Sequence, residues 1–160
     1  MRILFVCLGN ICRSPTAEAV MRRLLEEEGL DGRVEVDSAG MGSWHLGAPP
    51  DARAATAAAR RGVTLAGAAR QVTPADFRDF DLVVAMDRKN VRELLAVAPD
   101  EAARGRVHLL REFDPASAGA PDLDVPDPYY GGDHGFETVL DMVEAACRGL
   151  IDSLRTAGRV

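Results

Sequence analysis

The chain opens on an unbroken apolar run, Ile3-Leu4-Phe5-Val6, bounded by a glycine-containing loop, and this predicts a buried strand over residues 2–7. From Pro15 to about Glu28 the rhythm changes: Ala17, Val20, Met21 and Leu24 recur at helical spacing, with Gly29 as the stop. Arg33 to Asp37 alternates as a second strand, and Asp51 to Arg61 is an alanine-rich helix ended by Gly62. Thr73-Pro74 starts a short helix, with Asp76 three residues on in the manner of a capping box. Asp81 to Met86 predicts a third strand, Lys89 to Val97 a helix, and Arg106 to Leu110 a fourth strand. Finally Phe136, Leu140, Val143, Cys147, Leu150 and Leu154 step by four and three along one long helix. Strands alternating with helices predict an α/β fold. Its form is a three-layer α/β/α arrangement on a four-stranded parallel sheet, with sites at the strands' C-terminal ends.

At 160 residues and 47% hydrophobic content, one domain spanning 1–160 with a sizeable core is expected. A net charge of −6 argues against nucleic acid or an anionic membrane as the main partner. Three cysteines, an odd number, predict a reducing compartment rather than a disulfide scaffold. The opening apolar run is too short for a signal peptide, and no segment approaches the ~18 apolar residues of a membrane-spanning helix. The expected location is the cytoplasm, with leaderless export left open.

The loop after the first strand changes the picture most. It reads Cys7-Leu8-Gly9-Asn10-Ile11-Cys12-Arg13-Ser14-Pro15. A cysteine, five spacers and an arginine between a strand and a helix make a cradle for a tetrahedral oxyanion. The thiolate lies at the bottom, the backbone N–H groups of Leu8, Gly9, Asn10, Ile11, Cys12, Arg13 and Ser14 point inward, and the guanidinium closes the rim as a fork. A thiolate beneath a bound phosphate can attack phosphorus. Gly9 is expected to supply a positive φ, and Asn10 to tolerate the left-handed region and brace the loop. Ser14 and Pro15 read as N-cap and first helical residue, and the Ser14 hydroxyl is placed to donate to the Cys7 sulfur. A lone buried cysteine is usually a small hydrophobe. Gly, Asn and Ser-Pro in a strand-loop-helix setting favour the reactive reading. The absence of Gly-Lys-Ser/Thr excludes a Walker nucleotide loop.

The longest irregular stretch, about Asp114 to His134, carries Asp122, Asp124 and Asp127 among several prolines and glycines. A loop of about 20 residues is unusual in a compact domain unless it is functional or disordered. By themselves these carboxylates read as a solvated acidic loop, and only beside the Cys7 motif is Asp127 favoured. Aromatic residues make up only 5% of the chain, so Trp44 and His45 in a glycine-bordered loop and Tyr129-Tyr130 beside Asp127 stand out.

The segment Val6 to Pro15 resembles the signature of the low-molecular-weight protein tyrosine phosphatases. The resemblance runs on through Asp37-Ser38-Ala39-Gly40, Ser43-Trp44-His45, Ala69-Arg70-Gln71, Ala85-Met86-Asp87 and Asp127-Pro128-Tyr129-Tyr130. It implies a phosphotyrosine phosphatase I-like fold and hydrolysis of phosphotyrosine through a cysteinyl-phosphate. Cys7 is then the nucleophile, Arg13 the phosphate ligand and Asp127 the general acid, with Asp124 its nearest rival. Trp44, Tyr129 and Tyr130 become the substrate walls, while Asn10, Ser14 and Ser38 brace the loop. Cys12 reads either as an inert loop residue or, as the resemblance favours, as a redox partner that captures oxidised Cys7. Asp87 orders water or a loop near the site or, equally, caps a surface helix, and Cys147 belongs to the core. No cofactor and no metal are expected. The expected partner is a phosphotyrosine protein, such as a tyrosine kinase, with no nucleic acid or membrane partner, and the chain is expected as a monomer or weak dimer.

One departure stands out: relatives often carry a histidine where this chain has Gly67, which predicts a looser or water-filled bracing network around Asn10. Two alternative functions remain. A thiol-dependent arsenate reductase on the same fold needs a further cysteine pair, and residues 80–95 contain no cysteine. A non-catalytic phosphate-binding module is disfavoured by the intact Cys7, Arg13 and Asp127.

Overall fold

The computed structural model describes residues 1–160, the side chain of Asp133 excepted. Its sheet contains β1 (Arg2–Cys7), β2 (Glu35–Gly40), β3 (Leu82–Ala85) and β4 (Val107–Leu109), in the order β2-β1-β3-β4 with every pairing parallel. Parallel neighbours need crossovers. Helix α1 (Arg13–Glu27) links β1 to β2, and α2 (Ala52–Ala59) with the one-turn α3 (Asp76–Asp79) lies between β2 and β3. Helices α4 (Arg88–Val97) and α5 (Glu101–Arg104) precede β4, and α6 (Asp133–Thr156) closes the chain.

Strand β1 is central, so both of its faces are buried and its apolar run is continuous. Side chains alternate across it. Ile3 and Phe5 enter one core with Met21 of α1 and Val143 and Leu150 of α6, whereas Leu4 and Val6 enter another with Phe77, Phe80 and Leu94. These two apolar layers are the physical reason for three layers of structure. Truncating the wholly buried Phe5 to alanine should cost about 3–5 kcal/mol. No helix among the described residues is long and apolar enough to cross a membrane.

The departures from expectation cluster at the site. Strand β2 runs to Gly40 rather than stopping at Asp37, because the small residues Ala39 and Gly40 pair with Val6 and Cys7. Helix α1 starts at Arg13, so Ser14 is not the N-cap and Pro15 is not the first helical residue. Cys12 takes the cap position without a side-chain cap bond, since the Ser14 hydroxyl is turned into the preceding loop. Helix α5 and the 3₁₀ turns at Leu110–Phe113 and Pro115–Ser117 were not legible in the periodicity; each is little more than one turn. The order β2-β1-β3 reverses direction at β1, and the crevice outside such a switch point is where α/β sheets place ligands. Cys7 ends β1 on one side of it, and Asp87 follows β3 on the other.

Candidate active site

The turn after β1 is shaped from within. Asn10 is the one non-glycine residue with positive φ among the described residues, at 58°. Its side-chain oxygen accepts from the Arg70 N–H at 3.0 Å, while its Nδ2 donates to Ser14 Oγ at 2.8 Å and Ser38 Oγ at 3.0 Å. Three bonds thus offset the left-handed strain. Gly9, expected to supply the positive φ, does not, and its role is spatial instead. A Cβ there would lie 2.9 Å from His45 Cδ2. Gly40 is needed for the same kind of reason, since a Cβ would meet Leu8 O at 3.0 Å and Asn10 N at 3.1 Å.

Of the looser or water-filled network expected from Gly67, the looser form is not found, whereas a small space does remain beside Asn10. Asn10 is fully engaged, and Ser38 in turn donates to Glu18 Oε1 at 2.7 Å. Gly67 adopts φ 91° and lines a small cavity of about 100 Å³ beside these groups.

Above this brace, Cys7 Sγ lies 3.0 Å from Ser14 Oγ. The backbone N–H groups of Leu8, Gly9, Asn10, Ile11 and Cys12 donate to no protein acceptor among the described residues. Those of Arg13 and Ser14 belong to the first helical turn, which has no intrahelical acceptors. Amides left without protein acceptors beside a thiol, at a helix N-terminus, are donors of the kind that suit an anion.

Arg13 closes it. The guanidinium is 3% exposed, donates through Nη1 to Asp87 Oδ2 at 2.7 Å and to the Val125 carbonyl at 3.0 Å, and has Nη2 3.6 Å from Asp127 Oδ2. Burial opposes its charge, yet Cys7, Asp87 and Asp127 together outweigh burial and hold its pKa above the ordinary arginine value. Asp87 caps α4, Oδ1 accepting from Asn90 N at 2.8 Å, and its Oδ2 takes the bond from Arg13, a contact the sequence did not suggest.

Over the loop lies a cavity of about 400 Å³ lined by Cys7, Leu8, Gly9, Ile11, Cys12, Arg13, Trp44, His45, Asp127, Tyr129 and Tyr130. Trp44 and Tyr130 are largely exposed at its rim, at 71% and 93%. Tyr129 packs edge-on to Tyr130 with ring centres 4.9 Å apart, and His45 tilts against Tyr129 at 6.1 Å. The three predicted wall residues thus share one cavity. Asp127, 38% exposed, faces it and accepts from Tyr129 N at 3.0 Å. Its rival Asp124 accepts from Arg88 N at 2.9 Å and does not line the cavity.

Cys12 is buried in the loop. Burial first, then Asp51, Cys7 and Asp127, push its thiol up to about 12. Cys147 lies wholly inside the core, where burial raises its thiol far above the ordinary value. Sequence reasoning missed Arg53 and Glu18. Arg53 pairs with Asp51, donates to the Tyr129 carbonyl at 2.9 Å and stacks over the Tyr129 and Phe136 rings. No periodic or motif signal points to it, because its partner is 76 residues away.

Residues 2–160 match the family model described as low molecular weight phosphotyrosine protein phosphatase. A low molecular weight protein-tyrosine-phosphatase of Streptomyces coelicolor is 53% identical over 154 residues, covering 96% of this chain and 93% of that one. The crystal structure of an Entamoeba histolytica protein tyrosine phosphatase, with Hepes in its active site, superposes with a TM-score of 0.92 at 40% identity over 99% of both chains. A Drosophila arginine phosphatase superposes with a TM-score of 0.88 at 32% identity, covering 96% of this chain and 97% of that one.

Proposed function

Since the chain belongs to the low molecular weight phosphotyrosine protein phosphatase family, a family of phosphoric monoester hydrolases acting on phosphoproteins, we propose that it hydrolyses phosphotyrosine through a phosphocysteine on Cys7. The carrying observation is Cys7 Sγ, 3.0 Å from the Ser14 hydroxyl, in one cavity with the buried Arg13 and followed by amides that have no protein acceptor among the described residues.

In the first step the Cys7 thiolate forms the S–P bond as the P–O bond to the tyrosyl oxygen breaks. Asp127 gives its proton to that oxygen, because a phenolate of pKa about 10 leaves poorly without one. In the second step Asp127, now a carboxylate, takes a proton from water as the water oxygen attacks phosphorus. Inorganic phosphate forms and the thiolate returns. The loop amides and Arg13 hold the equatorial oxygens throughout, at positions fixed before substrate arrives. The Ser14 hydroxyl steadies the thiolate as attacking and as leaving group. Asp87 and the Val125 carbonyl fix the Arg13 fork.

Trp44, His45, Tyr129 and Tyr130 give the cavity flat apolar walls that suit an aryl ring. A phosphoserine is too short to reach the floor past them. Cys12 serves as redox partner, closing a disulfide on oxidised Cys7, a use of thiols that fits a reducing compartment such as the cytoplasm.

The test is steady-state turnover of p-nitrophenyl phosphate and of phosphotyrosine, phosphoserine and phosphoarginine peptides, with arsenate reduction run alongside. Phosphotyrosine should lead. Preference for phosphoarginine would overturn the aryl reading, and no turnover of any ester would leave only a phosphate-binding module.

A further inference from the structure

The hydrogen bonds behind the loop diverge from Asn10, and the branch away from Cys7 ends on a residue given no role so far. Glu18 accepts from Ser38 OγH at 2.7 Å. A carboxylate has no proton to offer, so the single Ser38 proton is committed to it and the Ser38 oxygen can only accept from Asn10. Asn10 supplies that bond from Nδ2 at 3.0 Å and gives its other Nδ2 hydrogen to Ser14 at 2.8 Å. The Arg70 N–H holds Asn10 Oδ1 at 3.0 Å, which forbids the flipped amide. Ser14 therefore accepts from Asn10 and keeps its own proton for Cys7 Sγ at 3.0 Å, the alternative acceptor Ala39 O lying farther off at 3.4 Å. Donating to Glu18 makes the Ser38 oxygen a better acceptor and so tightens its hold on Asn10.

We propose that Glu18 is a positioning residue for the phosphatase reaction: acting through Ser38 and Asn10, it fixes the Ser14 hydroxyl as a donor to the Cys7 thiolate. The proposal rests on the phosphocysteine mechanism above. Arg22 pairs with Glu18 at 3.0 Å from the same helix, and Asp37, tied to Arg70 at 3.0 Å, lies beside it on β2. Arg13, Asp127, His45, Cys12 and the Tyr129 and Tyr130 phenols are the titratable groups that share a cavity with Cys7. Glu18 is an anion on the far side of this network. Its direct field on Cys7 would oppose the thiolate, whereas the hydrogen-bond chain favours it, and the two effects have opposite signs.

The experiment is the pH dependence of Cys7 alkylation by iodoacetamide, read by peptide mass so that Cys12 is counted apart, in wild type, Glu18→Gln, Glu18→Ala, Ser38→Ala and the Glu18→Ala/Ser38→Ala double variant. Glu18→Ala should raise the alkylation midpoint by about half a pH unit, the scale of one net hydrogen bond. Glu18→Gln, which keeps the volume and a weaker acceptor, should raise it by less. The double variant should match Ser38→Ala alone, because both changes cut one chain. In kinetics the acidic limb of kcat/KM should move up with the same order of variants. A midpoint that is unchanged or moves down overturns the proposal. Alkylation needs no turnover, so a wild type inactive on aryl phosphates would sink the mechanism while the midpoint still judged Glu18.

Discussion

From Cys7 to Ser14 the polar side chains are buried and tied to one another, to β2 and to the strand ends, with Asn10 alone making three bonds. Around Asp127, by contrast, the chain is open: Asp127 is 38% exposed, Tyr130 93%, and the segment is anchored by Val125 N on the Met86 carbonyl and by Arg53 on the Tyr129 carbonyl. The difference suits what the proposed mechanism asks of each region. A floor that meets a tetrahedral anion gains most when its donors are set beforehand, since reorganisation during reaction is costly. A rim that delivers a proton must also let an aromatic ring in and a phenol out, and local stability opposes that. Arg13 touches both regions, bonded to Val125 and 3.6 Å from Asp127.

The sharpest break in the comparison is Cys7→Ser. Removing the thiolate should abolish measurable turnover while leaving the amide cradle and Arg13 intact, so phosphate or vanadate should still bind. Residual activity within tenfold of wild type would remove Cys7 from the mechanism, and loss of oxyanion binding would show that the cradle depends on the sulfur.

Asp127→Ala acts on the open side and should be smaller, about 10²–10⁴-fold for phenyl phosphate, the range of general-acid assistance. The loss should shrink as the leaving phenol becomes more acidic, because a good leaving group needs no proton. An unchanged leaving-group dependence across a series of aryl phosphates would mean the proton comes from elsewhere, with Asp124 next in line. Wild-type kcat/KM should trace a bell against pH, since thiolate and protonated carboxyl are needed together.

The same contrast explains what the sequence revealed. The central strand announced itself through four consecutive apolar residues, and α6 through its four-three spacing, because burial imposes a period on long elements. The Cys7 loop was legible because its chemistry sits in consecutive residues. Asn10, Ser14 and Ser38 were assigned to bracing, and all three meet. What escaped were features that depend on distant contacts. Gly9 looked like a conformational glycine, yet the tight object is His45, 36 residues on. Ser14 looked like a cap until Asn10 and Cys7 claimed its hydroxyl. Gly67 implies a gap, and a small cavity is there, yet a backbone N–H from Arg70 and the Glu18–Ser38 bond keep Asn10 and Ser38 tied beside it. Strand β2 was read short because Ala39 and Gly40 carry no β signature and are strand only through pairing with Val6 and Cys7.

Oxidation sharpens the comparison inside the floor itself. Peroxide should convert Cys7 to a sulfenic acid, and the Cys12 thiolate should then displace its oxygen as water, forming the disulfide. Only thiolate attacks, and burial with Asp51 holds Cys12 at about 12, so below that value its reactive fraction rises tenfold per pH unit. Disulfide closure, followed by peptide mapping after a peroxide pulse, should therefore accelerate by about tenfold per unit between pH 6 and 9, with sulfinic Cys7 accumulating at the acidic end. Asp51→Asn removes one of the charges that raise the Cys12 thiol and should speed closure at fixed pH. A closure rate flat with pH, or a Cys12 that stays free throughout, would discard it as the resolving thiol.

The smallest expected effect tests whether rim and floor are separable. Arg53 donates to the Tyr129 carbonyl at 2.9 Å and spreads over the Tyr129 ring at 5.5 Å and the Phe136 ring at 4.9 Å, so it ties the Asp127 segment to α2 and α6. It makes no bond to the Cys7 loop among the described residues. One net hydrogen bond is worth about 0.5–1.5 kcal/mol, which corresponds to about 2–12-fold in a rate. Arg53→Ala should therefore lower kcat for phenyl phosphate by about that factor, because Asp127 spends less time over the leaving oxygen. The penalty should fade for p-nitrophenyl phosphate, whose leaving group needs less help, just as it does for Asp127→Ala. In the double variant Arg53→Ala/Asp127→Ala the Arg53 effect should disappear, since nothing remains to be positioned. Cys7 alkylation against pH should be unmoved by the single change. If Arg53→Ala instead shifted that alkylation curve, the open rim would be part of the same rigid unit as the floor, and the division between the two regions would fail.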